Sequence, residues 1–598
     1  MKKFIFTMVL CVAVVFSIGA QSSSQQKPED IEKNLVLVDK PQVVPDSMKA
    51  GFETIKPEDT MSMLSFLSSD LLDGRDTGSK GYKIAAEYAV SLFKFWGIKP
   101  AGDMPVTRRR YPGMRATGGA ATPPKRSYFQ EIVFRETSDV TGSMTLNTRR
   151  GSLEKSRVFK SGVDFSMMSS TAESLTAPVV FAGYGIVEKT AKWDDFKNLD
   201  VKGKVVIILS EAPGKDNPES PFQKIKELKE KYFPATPQFR MFRRGGSSKI
   251  QEIMKLEPAA IIQIQNTGKD DSIYKQMAPS DQVNDERPII DRVRRRLSLA
   301  GVGGMMPGRS TVITVTREIA NKILENSGKT IDELKETIEK KLQPSSMDIP
   351  GTKLTIASTA KVKLIRCLNV LGYIEGSDPK LKDEVIVIGA HFDHLGRSGD
   401  YIYNGADDNG SGSVGVLSAA RAFSVNPVKP KRTILFALWT GEEKGLLGSR
   451  YYVQNPYFPI AKTAMYFNMD MISRAYDEQS FTRMARMFQF PGGKELMEKI
   501  KLSKFLTVNF TTGMDGIVRE ANQYVGLHLF LREAQEGARG GGSDQASFAA
   551  VKVPYVYTMA AMTSDYHQPS DSVEKVNKDL FTKACRLTYL VSFAAADK

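Results

Sequence analysis

The chain has 598 residues, too many for one hydrophobic core, so two or three domains are expected. Its composition is that of an ordinary soluble globular protein, and its net charge of +15 raises the question of a nucleic-acid or anionic-surface partner. The basic clusters Arg108-Arg109-Arg110, Arg243-Arg244 and Arg294-Arg295-Arg296 lie in Gly/Pro-rich stretches without interleaved aromatic residues, the pattern of solvated loops, so no nucleic-acid partner is expected.

Lys2 and Lys3, an apolar run from Phe4 to Ile18, then Gly19 and Ala20 before a polar stretch read as a cleavable signal peptide over 1–20, with cleavage after Ala20. The run is too short to span a bilayer, and no transmembrane segment is expected. Removal of the leader lowers the charge to +13 and places the mature protein outside the cytosol, secreted or periplasmic. Cys11 follows Leu10 rather than a small residue, which argues against lipid anchoring. Cys367 and Cys585 remain; no bridge is assigned to them, and no Cys-rich metal site is available.

Residues 21–50 are polar and aperiodic, as in a flexible tether. Ile84, Ala85, Tyr88, Ala89, Leu92, Phe93 and Trp96 recur at helical spacing, with Gly97 and Pro100 as the stop, inside a first structured segment, 51–136. Within it, residues 101–127 are rich in Arg, Gly and Pro and read as a loop insertion. Over 137–345, short β-type runs at Pro178–Phe181, Val205–Leu209, Ala260–Ile264 and Thr311–Val315 indicate a separate β-rich domain, closed by a helix at Ile331–Leu342. From 346 to 598 apolar runs alternate with helix-like segments: Glu384–Gly389, Gly410–Val425, Arg432–Trp439 and Thr463–Met469. That alternation predicts an α/β fold, a mostly parallel twisted sheet flanked by helices, whose ligands bind beyond the carboxyl ends of the strands.

Polar clusters follow the apolar runs directly: His391-Phe392-Asp393-His394, Gly405-Ala406-Asp407-Asp408-Asn409, Gly441-Glu442-Glu443, Asn468-Met469-Asp470 and Asp565-Tyr566-His567. All four histidines of the chain fall between 391 and 567. Imidazoles mixed with carboxylates, without thiolate, suit zinc in an open catalytic site, and five ligands exceed what one such ion takes. Two ions bridged by a carboxylate fit them. Taken alone, a Glu-Glu pair is an exposed charged turn and an Asp-Asp pair beside Gly and Asn a loop; it is their coincidence in one region that points to a site.

These clusters, in this order, resemble the M28 family of zinc peptidases. The resemblance implies two zinc ions per chain, with His391, Asp408, Glu443, Asp470 and His567 as ligands and Asp408 as the bridge. It makes Glu442 the general base on a zinc-bound water. Asp393 becomes a carboxylate that orients His391 or supports the base, and Tyr566 a donor to the oxyanion. Leu67-Ser68-Ser69-Asp70 to Gly74-Arg75 is similar to the segment that opens many members. Phe181-Ala182-Gly183-Tyr184-Gly185-Ile186, Trp193-Asp194-Asp195 and Val201-Lys202-Gly203-Lys204-Val205-Val206 resemble the protease-associated domain inserted in such enzymes.

Gly541-Gly542-Ser543-Asp544-Gln545 departs from the Ser-Asp-His of relatives, with Gln545 in place of the histidine and Asp544 left as a candidate for binding the substrate amine. The implied activity is a metallo-exopeptidase acting on peptide substrates, with aminopeptidase polarity favoured by family analogy. A carboxypeptidase of the same family, a single-zinc glutaminyl cyclase and a metal-free receptor-like scaffold stand as alternatives. A homodimer is compatible with this reading, but no residue establishes one.

Overall fold

The computed structural model describes residues 33–104, 126–161, 164–167, 174–233, 245–264, 295–300, 311–487, 493–534 and 542–598. The expected signal peptide, Cys11, residues 21–32 of the expected tether, most of the 101–127 insertion, Arg243-Arg244, Arg294 and Gly541 lie outside the described residues. No helix among the described residues is long and apolar enough to cross a membrane.

The main sheet has a parallel core in which Val385–His391 lies between Thr433–Trp439 and Thr463–Met469, and Thr463–Met469 in turn pairs with Tyr555–Met559. Antiparallel pairings extend it on both sides: Phe505–Phe510 joins Tyr555–Met559, and the end of Ser346–Ile374 joins Thr433–Trp439. The central strands are buried on both faces, which is why they read as unbroken apolar runs rather than alternating ones. Ile386 and Ile388 face helices Lys80–Phe95, Gly412–Val425 and Lys578–Asp597, while Val385 and Val387 face an aromatic layer of Trp439, Tyr452, Tyr466 and Phe548.

Helix Lys80–Phe95 begins where Ser79 Oγ accepts the Tyr82 N–H at 3.1 Å, and ends at Gly97, whose φ of +69° a side chain would oppose. It buries Tyr82, Ala85, Ala89, Val90 and Phe93; Ile84, on the expected apolar face, is exposed at its edge.

A second core gathers residues from Met144 to Ile356 around the parallel strands Leu175–Ala182, Val205–Ile208, Ala260–Ile264 and Thr311–Val315, in that spatial order. Helix Ile331–Lys341 closes it, opened by a reciprocal cap between Thr330 and Glu333. The boundaries drawn at 136/137 and 345/346 fall differently in the structure. Strands Phe129–Arg150 and Ser346–Ile374 pass without interruption from one core into the other and pair from Val370 with Phe129 to Thr352 with Thr148. Ile349, Leu354 and Ile356 belong to the second core, so the return crossing lies near the register shift between Thr359 and Lys361. Arg295 and Arg296, expected in a loop, open the strand Arg295–Leu299, which pairs with Phe134–Ser138.

Residues 33–50 are not a tether. Leu35–Leu37 adds an antiparallel strand to His528–Phe530, and the Asp39 carboxylate draws in Lys501 and Lys504 at 2.7 and 2.8 Å. An edge strand of three residues is too short to carry a periodic signal, which is why the sequence reads as featureless there. Cys367 and Cys585 are both buried and free.

Candidate metal centre

The sheet delivers the polar clusters to its carboxyl edge. His391 ends its strand opposite Trp439, Glu442 and Glu443 follow Trp439, and Asp470 follows Met469. Asp408 arrives on a tight turn between Gly405 and the helix Gly412–Val425. Gly405 has φ +56°, and a Cβ there would come within 2.1 Å of Asp408 O and 2.6 Å of the His394 ring.

The turn is held from several directions. Arg75, fully buried, donates to Phe392 O at 3.2 Å, Asn404 O at 2.7 Å, Gly405 O at 3.0 Å and also to Leu67 O. Burial brings its guanidinium down to about 10, opposed by Asp571 and Asp408. Asn409 Nδ2 donates to Met469 O at 2.9 Å, and its Oδ1 accepts the Gly412 N–H at 2.9 Å, which ties the turn to the Asp470 strand. Asp407 turns away from the site: its Oδ1 accepts from Ser473 N and Oγ at 2.9 and 2.7 Å.

Two groups of donor atoms converge around Asp408. His391 Nε2 lies 3.2 Å from Asp408 Oδ1 and 3.3 Å from Asp470 Oδ1. His567 Nε2 lies 3.1 Å from Asp408 Oδ2 and 3.4 Å from Glu443 Oε2, while His394 Nδ1 lies 2.8 Å from Glu443 Oε1. Donors on one tetrahedral zinc, with bonds of about 2.0–2.1 Å, stand about 3.3 Å apart. His391, Asp408 and Asp470 form one group able to hold an ion, and Asp408, Glu443 and His394 overlap a second. His391 Nδ1 is 3.0 Å from Asp393 O, which can only accept, so that nitrogen carries a proton and Nε2 is the one turned toward the two carboxylates. Five site residues of the sequence reading, His391, Asp408, Glu443, Asp470 and His567, are therefore brought together.

The remaining candidates surround this cluster. Asp393 is fully buried, and it is its backbone oxygen, not its carboxylate, that meets the His391 ring. The carboxylate accepts from Thr77 Oγ1 at 2.7 Å and from the Glu442 N–H at 3.1 Å, so of its two expected roles the geometry matches support of Glu442. Burial pushes the Glu442 carboxyl well above the usual carboxylate range, and Glu443 and Asp470 add to that against His391. Burial would raise Glu443 as well, but His567 and His394 hold it well below. Asp544 is buried beside Ser449, and burial brings its carboxyl to about 7. Tyr566 stacks on His567, ring centroids 3.8 Å apart.

Gln545 is inside the protein rather than facing a substrate. Its Oε1 accepts from Asn468 Nδ2 at 2.7 Å, Asn468 Oδ1 accepts from Tyr466 OH at 2.6 Å, and the tyrosine oxygen accepts from Trp439 Nε1 at 2.9 Å. The Ser543–Gln545 segment thus braces the strand that ends at Asp470. Sequence reasoning passed over His394, Asp571, Arg75 and Thr77 as site residues. His394 stands in the same cluster as His391, and Asp571 follows His567 closely, so proximity to assigned residues was the available signal.

Residues 369–591 match the model of peptidase family M28. A glutamate carboxypeptidase 2 homolog of Caenorhabditis briggsae is 37% identical over 129 residues, covering 21% of this chain and 16% of its own. Leucine aminopeptidase 2 of Trichophyton rubrum is 27% identical over 235 residues, covering 38% of this chain and 44% of its own. The chain thus spans less than half the length of these curated relatives. The aminopeptidase from Aneurinibacillus sp. strain AM-1 superposes with a TM-score of 0.50 at 17% identity, over 92% of this chain and 96% of that one, and so shares the fold. The polar clusters thus gather at the carboxyl edge of a segment, residues 369–591, that matches peptidase family M28.

Proposed function

We propose that the chain is an exported di-zinc metallo-exopeptidase that removes residues from the amino end of peptides. The observation that carries this reading is His391, whose Nε2 faces Asp408 and Asp470 at 3.2 and 3.3 Å. An imidazole nitrogen and two carboxylates converging in a buried space suit a cation between them. His391, Asp408 and Asp470 would hold one zinc ion, and Asp408, Glu443 and His567 the other. Zinc so held supplies a Lewis acid for the scissile carbonyl and makes a water acidic enough to ionise near neutral pH.

The chain's own residues handle the proton and the substrate. Glu442 accepts the proton of the attacking water and returns it to the leaving amine. Asp393 keeps Glu442 in place through the amide N–H. We assign Tyr566 to the oxyanion and Asp544 to the substrate ammonium.

The charge around the site supports amino-end polarity. A peptide carboxylate calls for a free cation, but among the described residues the buried cationic side chains are Arg75 and Arg474. Arg75 is committed to backbone carbonyls and Arg474 to Asp565 at 2.7 Å. The buried Asp544 and the partly buried Glu442 suit an ammonium group instead. Carboxypeptidase polarity is the second reading, favoured by the 37% identity with the Caenorhabditis relative. We also infer that the second core is the protease-associated-like domain, and that export depends on the leader.

The test pairs metal content per chain with cleavage of free-amine and N-blocked peptides. Two ions per chain and cleavage that requires a free amine support the proposal. Release of carboxyl-terminal residues from blocked peptides moves it to the second reading. One ion with pyroglutamate formation indicates a cyclase, and absence of metal and turnover leaves a scaffold.

A further inference from the structure

Glu443 is approached by imidazoles from two sides, and only one of them is needed to complete a ligand set. His567 Nε2 lies 3.4 Å from Oε2 and 3.1 Å from Asp408 Oδ2, the spacing of donors sharing an ion. His394 differs on both counts. Its Nδ1 is 2.8 Å from Glu443 Oε1, the distance of a charge-assisted hydrogen bond, and 3.8 Å from Asp408 Oδ2, beyond hydrogen-bonding range.

The rest of the ring fixes which nitrogen bears the proton. His394 is completely buried, and its Nε2 has no hydrogen-bond partner among the described residues. A proton on Nε2 would bury an unanswered N–H and turn a bare Nδ1 toward a carboxylate oxygen, both unfavourable. One proton on Nδ1, donated to Glu443, avoids both. The ring has little freedom to do otherwise. It packs where a side chain at Gly405 would lie, it sits edge-on to His567 with centroids 5.8 Å apart, and its backbone N–H is fastened to Arg75 O at 3.2 Å.

We propose that His394 is a positioning residue for the second ion site: it occupies Oε1 of Glu443, so that only Oε2 turns toward His567 and Asp408. Glu443 then binds through one oxygen, and the ring that orients it is itself not a ligand. This rests on the di-zinc reading above. It predicts an effect confined to one of the two ions, since His391 and Asp470, which would hold the other, have no bond to His394.

The test is calorimetric titration of metal-stripped wild type, His394→Ala and His394→Asn with zinc, together with absorption spectra of the cobalt-loaded proteins. Asparagine can place an amide N–H where Nδ1–H stood. The expected result is a loss of about 10–100-fold in affinity for one ion in His394→Ala, with the other unchanged. His394→Asn should recover most of that affinity and give a cobalt spectrum that overlays the wild type, because no nitrogen ligand has been removed. The inference is overturned if His394→Ala binds both ions as tightly as wild type does. It is equally overturned if His394→Asn stays as weak as His394→Ala with an altered spectrum, which would make the ring a ligand. A wild type that binds no ion overturns the di-zinc reading itself, a result that either variant titration cannot imitate.

Discussion

The backbone N–H of Asp408 points at Oδ2 of Asp571, 3.0 Å away and 163 positions along the chain. The Asp407 N–H reaches both oxygens of the same carboxylate at 3.1 Å. Asp571 therefore grips the backbone of the turn and leaves the Asp408 side chain free to face the histidines. Asp571→Ala strips two buried N–H groups of their acceptor, a destabilisation of about 2–6 kcal/mol at about 1–3 kcal/mol per group. Urea unfolding of the metal-free protein should show it, with Asp571→Asn, which keeps one acceptor oxygen, closer to wild type.

In the proposed mechanism Glu442 contributes its carboxylate to proton transfer, and its amide N–H is held by Asp393 at 3.1 Å. Glu442→Gln preserves the amide and the shape, so metal content and melting temperature should stay as in wild type while kcat falls about 10²–10⁴-fold. Chelation of the wild type should abolish turnover, and added zinc should restore it. Near-normal turnover by Glu442→Gln would remove it from the mechanism.

Gly405 is the position where a single methyl group should disturb the site most. Its φ is +56°, and a Cβ would press on Asp408 O at 2.1 Å and the His394 ring at 2.6 Å. Gly405→Ala should cost about 1–3 kcal/mol in stability and also displace Asp408. Metal retention during dialysis should fall further than the melting temperature suggests.

The second core carries its own pH signature. Asp195 is buried, and burial raises its carboxyl from the ordinary 3.8 to about 6, although its Oδ2 accepts the Ile186 N–H at 2.9 Å. A carboxyl raised in the folded state binds a proton there that the unfolded chain has released. Its contribution is therefore complete below about pH 4 and lost as pH rises toward 6. The loss is about 3 kcal/mol at about 1.4 kcal/mol per pH unit. Unfolding of this core between pH 4 and 7, followed through Trp193 fluorescence, should show that slope, and Asp195→Asn should flatten it.

The main sheet was legible because buried parallel strands are uniformly apolar: Val385–His391, Thr433–Trp439 and Thr463–Met469 stand out, and a polar cluster after each falls on one edge. Asp408 could be named, but the reason Asp407 is not its equal lies in Ser473, whose nearness only folding reveals. Arg75 escaped notice because its partners are backbone carbonyls of residues 67, 392, 404 and 405, and carbonyls carry no sequence signature. The same holds for Asp571, which binds amides. The long strands were missed as single elements because each changes environment midway, so no one period describes the whole.

Those strands also determine how the second core can move. A swinging domain needs short connections whose φ and ψ are free to change. Here both connections are strands, laddered to each other from Phe129 and Val370 to Thr148 and Thr352, with one irregularity near Thr359. Displacing the outer core relative to the main sheet would bend that ladder without breaking it, so the restoring force is spread over many backbone hydrogen bonds. The core is carried on a continuous β-ladder, and access to the candidate metal site would vary by flexure of that ladder rather than by the opening and closing of a lid.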